Sequence, residues 1–367
     1  EQMDKNGTDQ RVVVAMSGGV DSSVAAALLV ERGYEVVGVM LRLWAEAGPA
    51  TNRCCTPDAV ADARRVADGL DIPFYVRDYK EIFKTTVVDY FTEAYARALT
   101  PNPCLICNRQ IRFGRLLDQA LALGAQHLAT GHYARVRQTE DGSYQLLKGA
   151  DPSKDQSYAL HRLGQAQLAH SLFPLGEYRK SEVREMAQAR GLAVFNRAES
   201  QDLCFLGNGD YREFLSRHAA GAARPGPILD TQGRILGEHQ GLPNYTVGQR
   251  RGLGIAAPQP LYVLALEPSR NAVIVGAAEE LGRRELTAAD VTYVSDHPPA
   301  GQLRITAKIR YKASETPATL TPLPDGSAHV RFDEPLRDIT PGQGVVFYQG
   351  DVVLGGGFIL KSEDSTQ

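Results

Sequence analysis

The chain has 367 residues and a net charge of −3, from 40 basic and 43 acidic side chains. This length predicts two or three domains, and 43% hydrophobic with 23% charged residues excludes wholesale disorder. Apolar stretches end well short of the ~20 residues of a membrane span, and residues 1–11 lack the apolar core of a secretory signal. Five cysteines are too few for a disulfide scaffold and favour reduced thiols in the cytoplasm. Because the net charge is small and negative, the protein could bind nucleic acid only through a local basic patch.

The first half of the sequence alternates strand and helix patterns. The predicted strands are residues 11–16, 35–42, 74–77 and 127–130, and the predicted helices are residues 21–32, 57–70, 81–99, 109–123 and 180–190. This order predicts an α/β fold in which a doubly wound sheet has helices on both faces. Residues 133–148 predict a hairpin that turns at residues 140–142.

The second half is rich in glycine and proline, and its helical periodicity is limited to residues 210–218. Short alternating runs separated by turn residues predict a small barrel or sandwich; they are residues 304–311, 328–332, 344–348 and 352–360. We therefore expect a catalytic domain over residues 1–205, a small linker domain over 206–280 and a C-terminal β-barrel over 281–367.

Residues 17–23, with the sequence SGGVDSS, connect the first predicted strand to the first helix. The glycines permit a sharp turn and a close approach of the backbone to a ligand, and the following helix N-terminus favours phosphate. The serine hydroxyls add donors, and Asp21 can cap the helix or hold Mg²⁺. Neither a Walker-A lysine nor a GxGxxG fingerprint is present. The complete string favours a phosphate site over a plain capped turn.

Three cysteines form a second candidate site. Cys104 and Cys107 make a C-x-x-C motif at a predicted helix start, and Cys204 lies far along the chain in SQDLCF. The helix end, with Arg109 and Arg112 nearby, is expected to lower the pKa of these thiols toward neutrality.

Three interpretations of this cysteine set compete. A structural zinc site normally has four ligands, and a thioredoxin-like pair would follow the first strand of its own fold. We therefore favour a catalytic pair of Cys107 and Cys204, with Cys104 as a candidate third member. Cys54 and Cys55 carry no usable spacing signal and are interpreted as small core residues.

These features together resemble the tRNA-specific 2-thiouridylase family of PP-loop ATP pyrophosphatases. The motifs that carry the resemblance are, in chain order, AMSGGVDSS, TPNPCxxCN, ATGHYAR, KDQSY, SQDLCF, NYTVGQRRGLG and KIRY. The resemblance implies replacement of the C2 oxygen of the wobble uridine by sulfur through an adenylated intermediate, with AMP and pyrophosphate released. It also implies ATP and Mg²⁺, the tRNAs for Lys, Glu and Gln, and a cysteine desulfurase or relay protein as sulfur donor.

The resemblance also implies roles for individual residues. Cys107 corresponds to the nucleophile and Cys204 to the persulfide carrier, and the two can form a disulfide as sulfur is released. The implied ATP-binding residues are Ala15, Met16, Ser17, Gly18, Gly19, Val20, Asp21 (also in the catalytic set), Ser22, Met40 and Gly131. The target base is expected against Asn102, Pro103 and Cys104. The implied tRNA contacts are His132, Lys154, Asp155, Gln156, Arg310, Tyr311 and Gln343.

Without the resemblance, several of these tRNA contacts have a simpler local interpretation. His132 would be an ordinary histidine at a strand end, residues 154–156 a solvated turn, and Arg310 one face of an exposed strand. The basic clusters at residues 249–251 and 308–312 nevertheless offer positive surface for phosphates.

Cys104 departs from the family pattern, because many members carry Asp at this position and that Asp is assigned acid–base work. With a thiol here, Cys104, Cys107 and Cys204 are also candidates to hold a [4Fe-4S] cluster with one iron open, although such clusters normally take four cysteines. The persulfide and cluster mechanisms both stay open. Two further hypotheses are a PP-loop ligase with no use for the cysteine pair, and a non-catalytic tRNA-binding or iron–sulfur carrier protein.

Overall fold

The computed structural model describes residues 10–44, 46, 56–196, 203–206, 210–219 and 224–361. The strands of the first half are β1 (Arg11–Ala15), β2 (Glu35–Arg42), β3 (Phe74–Asp78), β4 (His127–Ala129), β5 (Ala134–Gln138), β6 (Tyr144–Lys148) and β7 (Ser171–Leu172). Five of them form a parallel sheet in the order β3-β2-β1-β4-β7. The predicted doubly wound sheet is confirmed.

Helices cover both faces of this sheet. They are α1 (Val20–Glu31), α2 (Pro57–Gly69), α3 (Lys80–Phe83, continued by Lys84–Val88 and Asp89–Ala96), α4 (Pro103–Ile106, continued by Cys107–Leu116 and Leu117–Ala122), α5 (Ser157–Leu160), α6 (Gln165–Leu168) and α7 (Lys180–Ala189). Side chains of β1 alternate between two apolar clusters, with Val12 and Val14 on one side and Val13 on the other. Burial on both faces explains why β1 is apolar at nearly every position.

Helix α4 begins at Pro103, earlier than the predicted start at residue 109. Asn102 caps it, because its side-chain oxygen accepts the backbone N–H of Cys104 at 3.2 Å. Pro103 suits the first helical position, where a backbone N–H is not needed. From Cys107 to Leu116 the helix widens into a π-helical segment, a form common at functional sites.

The predicted hairpin is formed by β5 and β6, but it does not belong only to the first half of the chain. Strand β6 also pairs with β17 (Val352–Ile359), so that Leu146 and Leu147 lie opposite Val353 and Val352. The hairpin thus ties the α/β domain to the C-terminal β domain.

The middle region contains helix α8 (Tyr211–His218) and a four-stranded sheet. Its strands are β8 (Gly226–Leu229), β9 (Ile235–His239), β10 (Tyr262–Glu267) and β11 (Ala272–Gly276), in the order β10-β11-β8-β9. The sequence predicted α8 but not these strands, because the glycines and prolines between them obscure the alternation.

A closed β-barrel occupies the C-terminal region, as predicted. Its strands are β12 (Arg283–Tyr293), β13 (Leu303–Lys308), β14 (Thr316–Pro322), β15 (Ala328–Leu336), β16 (Gly344–Gln349) and β17. They pair in the order β12-β15-β14-β13-β16-β17, and β12 pairs with β17 to close the ring. Strand β14 was not predicted, since prolines at both ends mask it. Within the part of the chain that the structure describes, no helix is long and apolar enough to cross a membrane.

Candidate active site

The loop between β1 and α1 is held by its own side chains. Gly18 adopts a left-handed φ of +71°, which a side chain would disfavour. The Ser17 N–H donates to the Ser22 hydroxyl at 3.1 Å, and the Ser22 and Ser23 hydroxyls donate to the Gly19 carbonyl at 3.2 Å and 2.9 Å. Ser22 and Ser23 are buried, whereas Ser17 is exposed. The loop is therefore shaped by its own hydrogen bonds, with Ser17 at its open side.

Gly131 brings the end of β4 against this loop. A Cβ on Gly131 would lie 2.8 Å from both the Asp21 carbonyl carbon and the Ser22 backbone nitrogen, so only glycine fits. Strands β1 and β4 are neighbours at the point where the strand order reverses, which is where open α/β sheets bind ligands. The Met40 side chain is buried in the core below. The predicted ATP residues thus surround the carboxyl ends of β1, β2 and β4.

Asp21 does not cap α1; it takes part in a network that includes two residues from elsewhere in the chain. The Lys180 ammonium lies 2.6 Å and 2.8 Å from its two carboxylate oxygens, and the Tyr133 hydroxyl donates to one of them at 2.8 Å. Neither Lys180 nor Tyr133 was predicted from the sequence to contact Asp21. Tyr133 belongs to the ATGHYAR motif, and Lys180 is the first residue of a predicted helix, but neither position alone indicates a loop contact.

Cys107 and Cys204 belong to one apolar cluster. Cys107 is buried within it, and the half-buried Cys204 packs against it. The neighbouring Phe205 holds the Cys204 segment in place, because its ring makes edge contacts with Phe83, Phe91 and Phe214. The structure thus brings two distant parts of the sequence, the C-x-x-C helix and the SQDLCF motif, to the same side of α3.

The predicted lowering of the thiol pKa values is wrong for Cys104 and Cys107. Burial raises the pKa of Cys107, and Arg112 opposes this only in part. At Cys104, the surrounding protein raises the pKa to about 11, with a smaller increase from Cys107, although part of the residue is open to solvent. Arg109 donates to Thr292 on the barrel at 2.5 Å instead. Desolvation therefore outweighs the nearby positive charge.

The described residues do not fit an iron–sulfur cluster in this arrangement. Across those residues, no three His, Cys, Asp or Glu side chains come close enough together to hold a metal ion. Cys104, Cys107 and Cys204 therefore do not form a preassembled ligand set. Cys54 and Cys55 lie outside the described residues.

The loop before α4, expected to face the target base, is fastened to the barrel. The Thr100 N–H donates to the Pro341 carbonyl at 2.9 Å, and the Gln343 amide donates to the Thr100 carbonyl at 3.0 Å. The buried Tyr158 hydroxyl donates to the Gly344 carbonyl at 2.8 Å. The predicted tRNA-binding Gln343 thus contacts Thr100, just before the predicted base-binding residues 102–104, which sequence spacing alone could not indicate.

Other predicted tRNA residues have structural partners. His132 is buried, with Nδ1 2.7 Å from the Thr130 hydroxyl, and burial lowers its pKa to about 3. The Asp155 carboxylate accepts the backbone N–H groups of Gly149 and Ser157, each at 3.0 Å. Gln156 accepts the Tyr133 N–H, also at 3.0 Å. Roles for these residues in binding tRNA stay predictions, which the structure does not test.

Arg310 and Tyr311 follow β13, at the same end of the barrel as Gln343. The Arg310 guanidinium donates to the Val247 carbonyl at 3.0 Å and to the Thr340 hydroxyl, so it links the middle domain to the barrel. Tyr311 is exposed, and its ring lies 5.9 Å from that of Tyr158. Lys154 is half-buried. Tyr311 is therefore the predicted tRNA residue with the most open side chain.

Comparison with known families divides the chain into three matched parts. The models described as "tRNA methyl transferase HUP domain", "tRNA methyl transferase PRC-barrel domain" and "Aminomethyltransferase beta-barrel domain" match residues 10–208, 212–277 and 283–359. With the loop geometry above, these matches define the class: a HUP-type α/β domain followed by two small β domains.

Similar proteins narrow this class. The tRNA-specific 2-thiouridylase MnmA of Moorella thermoacetica is 56% identical over 95% of this chain and 98% of its own length. The MnmA of Chloroflexus aurantiacus is 52% identical over 96% and 99%. The chain belongs to the tRNA-specific 2-thiouridylase family. Among solved structures, the U34-tRNA thiolase NcsA of Methanococcus maripaludis with its [4Fe-4S] cluster aligns over 60% of this chain and 67% of its own. The TM-score is 0.36 and the identity 19%, a similarity too low to support an argument.

Proposed function

We propose that this chain is a tRNA sulfurtransferase that replaces the C2 oxygen of the wobble uridine with sulfur, using ATP and releasing AMP and pyrophosphate. The observation that carries the proposal is the presence, in one domain, of a preshaped phosphate loop and of two thiols packed in a single cluster. An adenylated C2 oxygen is a good leaving group, and sulfur is the nucleophile that can replace it.

The phosphates of ATP would lie against residues 17–23, where backbone N–H groups at the start of α1 suit an anion. Met40 and Gly131 would border the rest of the nucleotide. Asp21 is the carboxylate that would hold Mg²⁺, and the ion would neutralise phosphate charge when bound. The adenylation step joins AMP to the uridine oxygen and expels pyrophosphate.

Sulfur transfer would then use both thiols. The terminal sulfur of a persulfide on Cys204 bonds to C2, and AMP leaves with the original oxygen. The Cys107 thiolate attacks the sulfur of Cys204, which releases 2-thiouridine and leaves a Cys107–Cys204 disulfide for later reduction. Because burial raises the pKa of Cys107, the thiol stays protonated and protected until tRNA binding rearranges the site.

The barrel would bind the tRNA, with Arg310, Tyr311 and Gln343 near the base-binding loop of residues 102–104. We extend the proposal to the tRNAs for Lys, Glu and Gln, to a cysteine desulfurase or relay protein as donor, and to the cytoplasm. The domain limits at residues 205/206 and 280/281 are part of the same proposal. The [4Fe-4S] alternative would need Cys104, Cys107 and Cys204 to move together, and iron and sulfide analysis after anaerobic reconstitution distinguishes it.

The test is nucleoside mass spectrometry on unmodified tRNA incubated with the full chain, ATP, Mg²⁺ and a persulfide donor, supplied as a cysteine desulfurase with free cysteine. We expect an oxygen-to-sulfur mass shift on the wobble uridine that requires ATP and is lost in Cys107→Ser and Cys204→Ser. Ser216→Ala, an exposed position on α8, is the control for folding and handling. AMP release without thiolation would favour the ligase hypothesis, and tRNA binding with neither product would favour the non-catalytic one.

A further inference from the structure

A lysine from outside the phosphate loop reaches the carboxylate at its centre. The Lys180 ammonium lies 2.6 Å and 2.8 Å from the Asp21 oxygens, and the lysine side chain is only 10% exposed. The backbone N–H of Lys180 donates to the Asp151 carboxylate at 3.0 Å, which fixes the start of α7. Helix α7 in turn packs on α1 through Val183. A buried ammonium is therefore delivered to the loop by a rigid element.

The loop itself lacks such a charge. Residues 17–23 contain no lysine or arginine, yet the proposed reaction expels pyrophosphate. Phosphate loops of the Walker type solve the same problem with a lysine that acts as a point charge on the phosphates. Here the cation in hydrogen-bonding contact with the loop carboxylate comes from a helix far along the sequence.

We propose that Lys180 binds the pyrophosphate portion of ATP, exchanging its ion pair with Asp21 for phosphate oxygens. This inference rests on the proposed use of ATP. The exchange needs only rotation about the flexible lysine stem, because the ammonium already lies at the loop. Tyr133 holds the same carboxylate at 2.8 Å, so Asp21 stays oriented after the lysine has moved. Lys180 thus supplies the positive charge that the loop sequence omits.

The first experiment measures binding of ATP, pyrophosphate and AMP to the full chain by calorimetry. We expect Lys180→Met to weaken binding of ATP and pyrophosphate by about 10- to 100-fold, the range for a lost charged hydrogen bond, and AMP by less than about threefold. Lys180→Arg should recover part of the loss. The matched control is Lys80→Met, since Lys80 is also the first residue of a helix but is exposed. Equal losses for ATP and AMP would overturn the proposal.

A double-mutant cycle separates direct contact from mere support of Asp21. If Lys180 acts only by holding Asp21, then Lys180→Met has no further effect on ATP affinity once Asp21→Asn has removed the partner charge. Direct contact predicts that Lys180→Met still weakens ATP binding by about tenfold in the Asp21→Asn background. No further loss in that background would refute the assignment.

Wild-type protein provides a measurement that does not depend on folding of the variants. Lysine acetylation followed by peptide mass spectrometry should show that pyrophosphate protects Lys180, whereas AMP does not. Modification of Lys180 at the same rate with and without saturating pyrophosphate would contradict the inference. If the wild type binds neither ATP nor pyrophosphate, both the proposed function and this inference are refuted. If the wild type binds ATP and Lys180→Met binds it equally well, only the inference about Lys180 is refuted.

Discussion

Replacing His132 with Asn should flatten the dependence of stability on pH. His132 is buried beside Phe113 and Phe173, and burial lowers its pKa to about 3, with Arg112 contributing in the same direction. The folded protein therefore keeps this ring neutral, whereas the unfolded chain protonates it near its ordinary pKa of about 6.5. The contribution of neutral His132 to the free energy of unfolding is therefore fully present above pH 6.5 and is lost as the pH falls toward 3.

The size of the effect follows from proton linkage. At pH 5.5 the unfolded chain binds about 0.9 proton at this histidine and the folded chain binds almost none. Lowering the pH from 7.5 to 5.5 should therefore cost the wild type about 1.4 kcal/mol of unfolding free energy through His132 alone. Asn keeps a hydrogen-bonding group near the Thr130 hydroxyl but cannot titrate, so His132→Asn should lack this part of the loss.

Urea unfolding followed by circular dichroism at both pH values measures the difference, fitted over the transition of the α/β domain. His297→Asn, at an exposed position, controls for the substitution itself. Equal losses of stability in wild type and His132→Asn would refute the reasoning. The same pair tests the predicted tRNA contact. A neutral His132 releases no counterion, so the salt dependence of tRNA binding at pH 7.5 should be unchanged in His132→Asn, and a slope smaller by about 0.7–0.9 would reveal a charged phosphate contact.

Three other predictions concern the site. Gly131→Ala should weaken ATP binding by at least about tenfold, because its methyl group would clash with the α1 backbone at 2.8 Å; Gly69→Ala, which meets nothing within 4 Å, is the control, and unaltered affinity would contradict the close approach. Alkylation of Cys107 by iodoacetamide should be slow at pH 7 and should accelerate only above the ordinary thiol pKa, since burial raises that pKa; fast labelling at pH 7 would contradict this. Gln343→Ala should reduce kcat/KM for tRNA by about two- to tenfold and leave ATP binding unchanged, since it removes one hydrogen bond to Thr100; a loss of ATP binding would count against it.

Local sequence patterns were sufficient to predict most of the strands and helices of the α/β domain and most strands of the barrel. The run at residues 35–42 matches β2, and the glycine-bounded pattern at 180–190 matches α7 within a residue. Helix α4 begins earlier than the run predicted over residues 109–123, because Asn102 and Pro103 determine its start. The pairing of β6 with β17 joins segments far apart in sequence, and periodicity within a strand does not identify its partner.

In the candidate site, too, local motifs could be predicted from the sequence, whereas contacts between distant segments could not. The PP-loop and the cysteines were recognisable because their chemistry requires particular residue types at short spacing. Lys180 was not, since its contact with Asp21 spans 159 residues and depends on the packing of α7 on α1. The thiol pKa values were predicted with the wrong sign, because the number of nearby arginines can be read from sequence whereas the desolvation of Cys107 cannot.

The hairpin of β5 and β6 also constrains the order in which the chain matures during synthesis. The Lys148 ammonium and the Gly350 carbonyl that it contacts are 202 residues apart, so β6 leaves the ribosome long before its neighbour β17 exists. At typical rates of translation, the edge of β6 stays without its partner strand β17 for on the order of 10–40 s. The C-terminal barrel therefore completes the β6 edge of the α/β domain only after β17 has emerged. A ribosome that stops before β17 would release a chain whose β6 edge is still unpaired and open to wrong association.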